Sequence, residues 1–196
     1  MSRLFYLFLT FSVLLVRPVC AQKPTTSASD ADYLQWSATR RLTAADFQMP
    51  LKPHNNLKGS NAAFSFSMDG RIYDLFSKHS NDIVFNQMLR SASWVDTNNP
   101  ADVAQQVLFQ QTLFDIQEIY VRRFRQQARA GAKKMLLIGK PDINELLNEL
   151  MKASQVRQAE YADETDYGTL PGTQAVWEAK IQEELQALQA YKASNE

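Results

Sequence analysis

Few residues in this chain could do chemistry, and their spacing limits what that chemistry could be. Asp115 and Glu118 stand at i and i+3, with Arg122 four residues beyond Glu118. On a helix the two acids could ligate a metal. A solvated face, or a pairing of the acids with Arg122, is the expectation, because carboxylate–arginine pairs at this spacing are ordinary helix chemistry. Gln110 is an amide that either serves a cleft or bonds a neighbouring backbone group; buried amides are usually satisfied locally, and the local bond is expected. His54 and His79, the two histidines, lie in loop or turn contexts without metal-ligand spacing. The sequence carries neither a Gly-rich phosphate loop nor a serine elbow.

A basic run follows, comprising Arg122, Arg123, Arg125, Arg129, Lys133 and Lys134. It could serve a polyanion or a membrane surface. The expected reading is a match to the negative end of a helix dipole. Trp36, Trp94 and Trp177 read as core anchors rather than a ligand-stacking platform.

The element that must position most of these groups is a helix from Ala101 to Arg129, with Gly131 as its stop. At helical pitch Phe109, Leu113, Ile116, Tyr120 and Phe124 share an arc of about 80°. Val103, Val107, Phe114 and Val121 form a second apolar stripe beside it, with Gln110 between the two. Such a helix is buried on more than half its circumference and is central to the fold. Asn99 is its expected cap, with Pro100 in the first turn and Asp102 near the positive end.

Ahead of the helix lie the β signals. Tyr33 to Ser37 alternates like a short strand, and Thr43 caps a brief turn through Phe47. Met49 to Gly59 is a loop. Ala62–Met68 and Arg71–Ser77 read as strands joined by a hairpin at Asp69-Gly70. Asp82–Leu89 reads as a third strand, and Ser93-Trp94-Val95 ends the sheet region. After the central helix, Pro141 opens a helix through about Tyr161 with Ile143, Leu146, Leu147, Leu150 and Met151 on its core face. Ala162–Gly172 reads as a loop. Thr173 caps a last helix carrying Val176, Trp177, Ile181, Leu185, Leu188 and Tyr191. The class is α+β: an antiparallel β-meander packed on a long central helix, plus two C-terminal helices.

The amino terminus reads as a targeting segment. Arg3 precedes an apolar or hydroxyl run from Leu4 to Val16, and Val19-Cys20-Ala21 offers small residues for a signal peptidase. Residues 1–21 are expected to be a cleaved signal peptide and 22–32 a disordered lead, leaving one domain over 33–192. A lipid anchor at Cys20 is the rival, with Arg17-Pro18-Val19 a poor lead-in for it. Cys20 is the sole cysteine, so its removal leaves no thiol for a disulfide, a metal or a nucleophile. Without Arg3 and Arg17 the chain keeps 19 basic against 21 acidic residues, which argues against nucleic acid as a partner.

Specific stretches resemble a bacterial exported family catalogued as a domain of unknown function, DUF family 922, which is zincin-like. They are Leu34-Gln35-Trp36-Ser37, Arg41-Leu42-Thr43, Asp46-Phe47, Ser93-Trp94-Val95 and, most closely, Phe114 to Arg123. A later stretch, Tyr161 to Gly168 with Gln174 and Trp177 beyond it, also follows the family's order. In that family the helix carries His-Glu-Gln-any-His, in which two histidines at i and i+4 bind zinc and the glutamate polarises water. Position by position, the resemblance sets the first histidine on Phe109, the glutamate on Gln110, the second histidine on Leu113 and a third ligand on Tyr167.

Phenylalanine and leucine have no lone pair for a metal, a glutamine amide is a very poor base, and one tyrosine cannot make a zinc site alone. The resemblance therefore implies a degenerate member with no catalytic residues, metal or cofactor. It would be an exported pseudo-metallopeptidase, periplasmic or extracellular, that binds or scaffolds an unknown protein or envelope partner. It is expected to be a monomer with no transmembrane segment after cleavage. Two alternatives stay open: a hydrolase or peptidase using a non-standard metal or a metal-free site, and an anionic-surface binding protein.

Overall fold

The computed structural model describes residues 32–52, 54 and 57–194. The expected signal peptide, the lead up to residue 31 and the chain end beyond 194 lie outside the described residues. Three strands, β1 (Tyr33–Gln35), β2 (Ser60–Met68) and β3 (Val84–Val95), form an antiparallel sheet in the order β1-β3-β2. Three helices follow: α1 (Pro100–Ile138), α2 (Ile143–Glu164) and α3 (Pro171–Ala187). The mixed α+β class is as expected.

β3 is the middle strand, and its inward residues Val84, Asn86 and Met88 are buried toward α1. Between Asn61 and Ala63 of β2 the register jumps from Trp94 to Leu89 on β3, so Arg90–Ser93 bulge outward. Buried Ser93 repairs the break: its hydroxyl donates to Leu89 O at 2.6 Å and accepts from Ala63 N at 2.9 Å. The bulge is fastened from outside, where Gln48 N donates to Arg90 O and Met49 N to Ser93 O. A bulge held on both sides bends the strand without leaving its backbone unpaired.

The sheet is not the expected meander. Arg71–Ser77 is not a strand, and Asp69-Gly70 is no hairpin; Ile72–Phe76 is a single 3-10 turn. The Asp74 carboxylate accepts the Arg71 N–H at 2.6 Å, and Asp74 N donates to Arg71 O, closing the turn locally. Ile72 and Leu75, three apart, face the core, while Tyr73 and Phe76 point outward. That is turn spacing, not strand alternation. β2 instead meets β3 after the longer excursion through residues 69–83.

α1 begins as expected, with Asn99 at the cap and Pro100 in the first turn. It does not stop at Gly131. Ala128, Ala132 and Met135 carry the buried stripe straight through that residue, and the helix ends at Gly139, whose φ of 67° is left-handed. Gly139 N donates to Met135 O, the carbonyl that would otherwise be left open. From Phe109 to Arg125 every residue is buried except Leu113 and Arg123, which are half-buried. α2 starts at the Asp142 cap, whose carboxylate accepts from the N–H groups of Asn144 and Glu145, and it runs antiparallel back along α1. Leu146 and Leu150 are buried in that interface, with Ile143, Leu147 and Met151 packed beside them.

α2 extends to Glu164, so the expected loop from Ala162 shrinks to a turn. α3 starts with Leu170 at the cap and Pro171 in the first turn, and Thr173 lies inside it. Trp177, Ile181 and Leu185 form its buried face, while Val176 is exposed. Among the described residues no helix is long and apolar enough to cross a membrane.

The two glycines of α1 give a test of where the helix ends. Gly139→Ala forces a side chain into a left-handed backbone and is expected to lower stability by about 1 kcal/mol. Gly131→Ala sits in ordinary helix, gains propensity, and must only displace the Met135 methyl 3.2 Å away. Urea midpoints that fall further for Gly131→Ala than for Gly139→Ala would contradict the helix end described above.

Candidate functional site

Three groups of side chains on α1 bear on function. The first holds the positions set by the family motif. Phe109, buried on α1, stacks on Tyr161 of α2 with ring centroids 5.3 Å apart. On its other side lies Tyr167, 6.1 Å away and tilted by 52°. Tyr167 belongs to the tight turn between α2 and α3, where Asp166, Tyr167 and Gly168 all take positive φ. Thr165 holds that turn: its hydroxyl donates to Tyr161 O at 2.6 Å and accepts from Gly168 N at 3.1 Å. Gln105 of α1 ties the turn down by donating to Gly168 O at 2.8 Å. A Cβ at Gly168 would lie 3.0 Å from Phe109 Cβ, so only glycine lets the turn approach the ring.

Phe109 and Tyr167 therefore do come together, with Tyr167 capping the cluster from the solvent side at 66% exposure. Gln110 turns elsewhere. Its amide donates to Ser60 O and Ser60 Oγ at the start of β2, both at 3.1 Å, so it does bond a backbone group, but one on another element and not a local one. Leu113 is half-buried against the core, and its carbonyl accepts from Gln158 of α2. Behind Tyr161 runs a buried polar chain that sequence reasoning missed. Tyr161 Oη donates to Gln174, whose amide donates to Thr112 Oγ1 at 2.9 Å and to Glu178 at 2.7 Å. Burial pushes the Tyr161 phenol up to about 12, so it stays a donor at neutral pH. The residue types Tyr161 and Gln174 were visible in the sequence, but nothing in their spacing joined them to Thr112.

The second group is Asp115. Its Oδ1 accepts from Trp36 Nε1 and Gln111 Nε2, both at 2.7 Å, and its Oδ2 from Arg41 at 2.9 Å. Gln111 Oε1 in turn accepts from Leu42 N, so one helix turn clamps the whole Trp36–Leu42 segment. Burial pushes the Asp115 carboxyl above its ordinary range, against the Arg41 charge and the hydrogen bonds from Trp36, Gln111 and Arg41. The third group is Glu118, fully buried. Its Oε1 accepts from Arg122 Nε at 3.0 Å and Arg125 Nη1 at 3.1 Å, and its Oε2 from Asn86 Nδ2 at 3.0 Å.

Further guanidinium donors reach backbone carbonyls: Arg122 to Leu185 O, and Arg125 to Tyr191 O and Val84 O. The expected pairing with Arg122 is thus present, but the solvated face is not. The dipole reading of the basic run also fails. Arg122 and Arg125 point inward, Arg123 pairs with Glu184 at 2.9 Å, and the helix continues well past Lys134 to Ile138. Trp36 and Trp177 are buried anchors, each with its indole N–H donated to an acid, Asp115 and Glu164 respectively. Trp94 is half-buried.

His54 is exposed, and exposed His79 sits 3.2 Å from Asp82. Among the described residues no group of three His, Cys, Asp or Glu side chains is placed to hold a metal ion. Among the described residues the main clefts are not lined by Phe109, Gln110, Leu113 or Tyr167. A cleft of about 890 Å³ lies between the loop after Phe47 and the start of α1, with Lys52, Lys58, Asp96 and Asp102 on its walls. Another of about 350 Å³ lies between β2 and α2, where the buried Ser154 hydroxyl has no hydrogen-bond partner among the described residues. Neither gathers a nucleophile with a base. Comparison with known proteins gave no match to a family model, a curated protein or a solved structure.

Two measurements follow from the buried charges. Glu118→Ala leaves Arg122 and Arg125 without their shared anion and is expected to lower stability by about 3–5 kcal/mol in chemical denaturation; a loss under about 1 kcal/mol would contradict its role as the hub. Glu184 accepts from Arg157, and those hydrogen bonds hold its carboxyl below the ordinary range, against burial, with the Arg157, Arg123 and Lys180 charges adding to them. A depressed carboxyl stabilises above its unfolded pKa, and that contribution is lost as pH falls through the folded value. The cost of Glu184→Gln should therefore be full near neutrality and fade below about pH 4. A cost that stayed constant with pH would refute the ion-pair account.

Proposed function

We propose that this chain is a non-catalytic, zincin-like pseudo-metallopeptidase that is exported and acts by binding or scaffolding in the cell envelope. The observation that carries the reading is the Phe109–Tyr161–Tyr167 cluster. At the positions where the family motif would put two metal ligands, two aromatic rings pack together, and Gly168 lets the turn backbone close on them. A histidine facing inward there without a metal would need polar partners; a packed phenylalanine needs none. Gln110, at the place of the catalytic glutamate, spends its amide donors on Ser60. A neutral amide held in that way neither takes a proton from water nor polarises it strongly.

The hydrolase alternative would need Gln110, Asp115 or Glu118 to reach a substrate. All three are buried, and each is hydrogen-bonded to a neighbouring element. These side chains act as fasteners between elements, which favours a stable display surface over a reaction centre.

Elemental analysis of the purified protein tests the reading directly. Zinc is expected at well below one equivalent, and a stoichiometric amount would sink it. A gain-of-site variant tests the zincin-like geometry separately. Phe109→His, Leu113→His and Tyr167→His made together should bind zinc at about 1:1 if the three positions surround a former metal site. A folded triple variant that binds none would remove the zincin-like part of the proposal.

A further inference from the structure

At the joint between α1 and α2, exposed apolar residues and cations without an ion pair among the described residues are interleaved. α1 carries Leu136, Leu137 and Ile138 in its last turn, 38%, 70% and 62% exposed. Lys133 lies one helical turn behind Leu137, and Lys134 one turn behind Ile138, so each protruding apolar side chain has a lysine on its own face. Arg129 stands a further turn behind Lys133, and Lys140 follows the Gly139 cap. All four cations are exposed, and none makes an ion pair among the described residues. From Gln126 to Pro141 the chain has no acid; the first, Asp142, spends its carboxylate on the N–H groups of Asn144 and Glu145.

The cations at Arg122, Arg123 and Arg125 are engaged by Glu118, Glu184 and backbone carbonyls, so within this basic run the free positive charge lies at the tip. Apolar residues that project beyond a collar of long basic side chains suit one environment. The apolar ends enter the acyl boundary while the lysine stems lie along it and their ammonium groups meet lipid phosphates. We propose that the α1–α2 tip, centred on Leu137 and Ile138, docks on an anionic phospholipid bilayer. The proposal goes beyond the pseudo-enzyme reading and does not depend on it.

The test uses the full chain with a reporter at the tip. Cys20→Ser removes the single native thiol, and Ile138→Cys then takes an environment-sensitive nitrobenzoxadiazole label. With vesicles of phosphatidylglycerol mixed into phosphatidylcholine, the label should shift to the blue and brighten several-fold. Pure phosphatidylcholine and high salt should each suppress that response. The same label on exposed Val176→Cys, on α3 and away from the tip, should not respond.

Lys133→Gln, Lys134→Gln and Lys140→Gln together should weaken the tip response at least about tenfold, since each lysine near an anionic surface contributes about 1 kcal/mol. Circular dichroism checks that every variant is folded. A tip label that stays unchanged while the protein binds vesicles overturns the proposal. So does an equal response to both lipids. A response to protein concentration without any vesicles would assign the tip to a second copy of the chain and overturn it as well.

Discussion

The structure depends on placing a carboxylate in the middle of its longest helix, out of reach of water. A buried anion is costly unless paired and fully hydrogen-bonded. Glu118 meets that demand with donors from Arg122 and Arg125 on its own helix and from Asn86 on β3. The arginines bring the same problem with them, since each carries more donors than one carboxylate can accept. Part of that surplus is taken by carbonyls of Val84, Leu185 and Tyr191. One ionised side chain thereby fixes where β3, the end of α3 and the turn after it must lie. Asp115 does the same one turn earlier for β1 and the Trp36–Leu42 segment. The sheet and the carboxyl-terminal helix are positioned by polar demands of α1 as much as by its apolar stripes.

How much of this could be read beforehand follows from the range of the interactions. The centrality of α1 was legible because periodicity along one helix needs only local sequence, and the Asn99-Pro100 start is likewise local. Gly131 misled because a glycine marks a helix end only when nothing beyond it keeps the buried stripe going, and Ala128, Ala132 and Met135 do. Arg71–Ser77 misled because apolar residues at i, i+1, i+3 and i+4 fit a turn as well as a strand, and the bond from Arg71 N to Asp74 decided for the turn. The basic run was misread for a different reason. Whether an arginine faces solvent or carbonyls distant in sequence cannot be told from its helix alone.

The motif positions show the same division. Phe109 and Tyr167 meet. Tyr161, Gln174 and Thr112 join them from behind through hydrogen bonds that no short spacing announces. Asp115 and Glu118 were visible as a spaced pair on one helix. Their burial, and the separate partners each one gathers, came only from elements far along the chain.

The carbonyl of Tyr191 is an acceptor for Arg125, and Asn81 and Asp82 bind the segment from Lys192 to Ser194. These contacts give the molecule an order of assembly. While the chain emerges from the ribosome, the buried arginines of α1 find Glu118 and the Val84 carbonyl already made, but their acceptors at Leu185 O and Tyr191 O come only after α1 is complete. The polar core is therefore complete only once residues 185–191 have been delivered, and that segment acts as its latch. Removing that segment would therefore be felt at the centre of the protein, not at its edge.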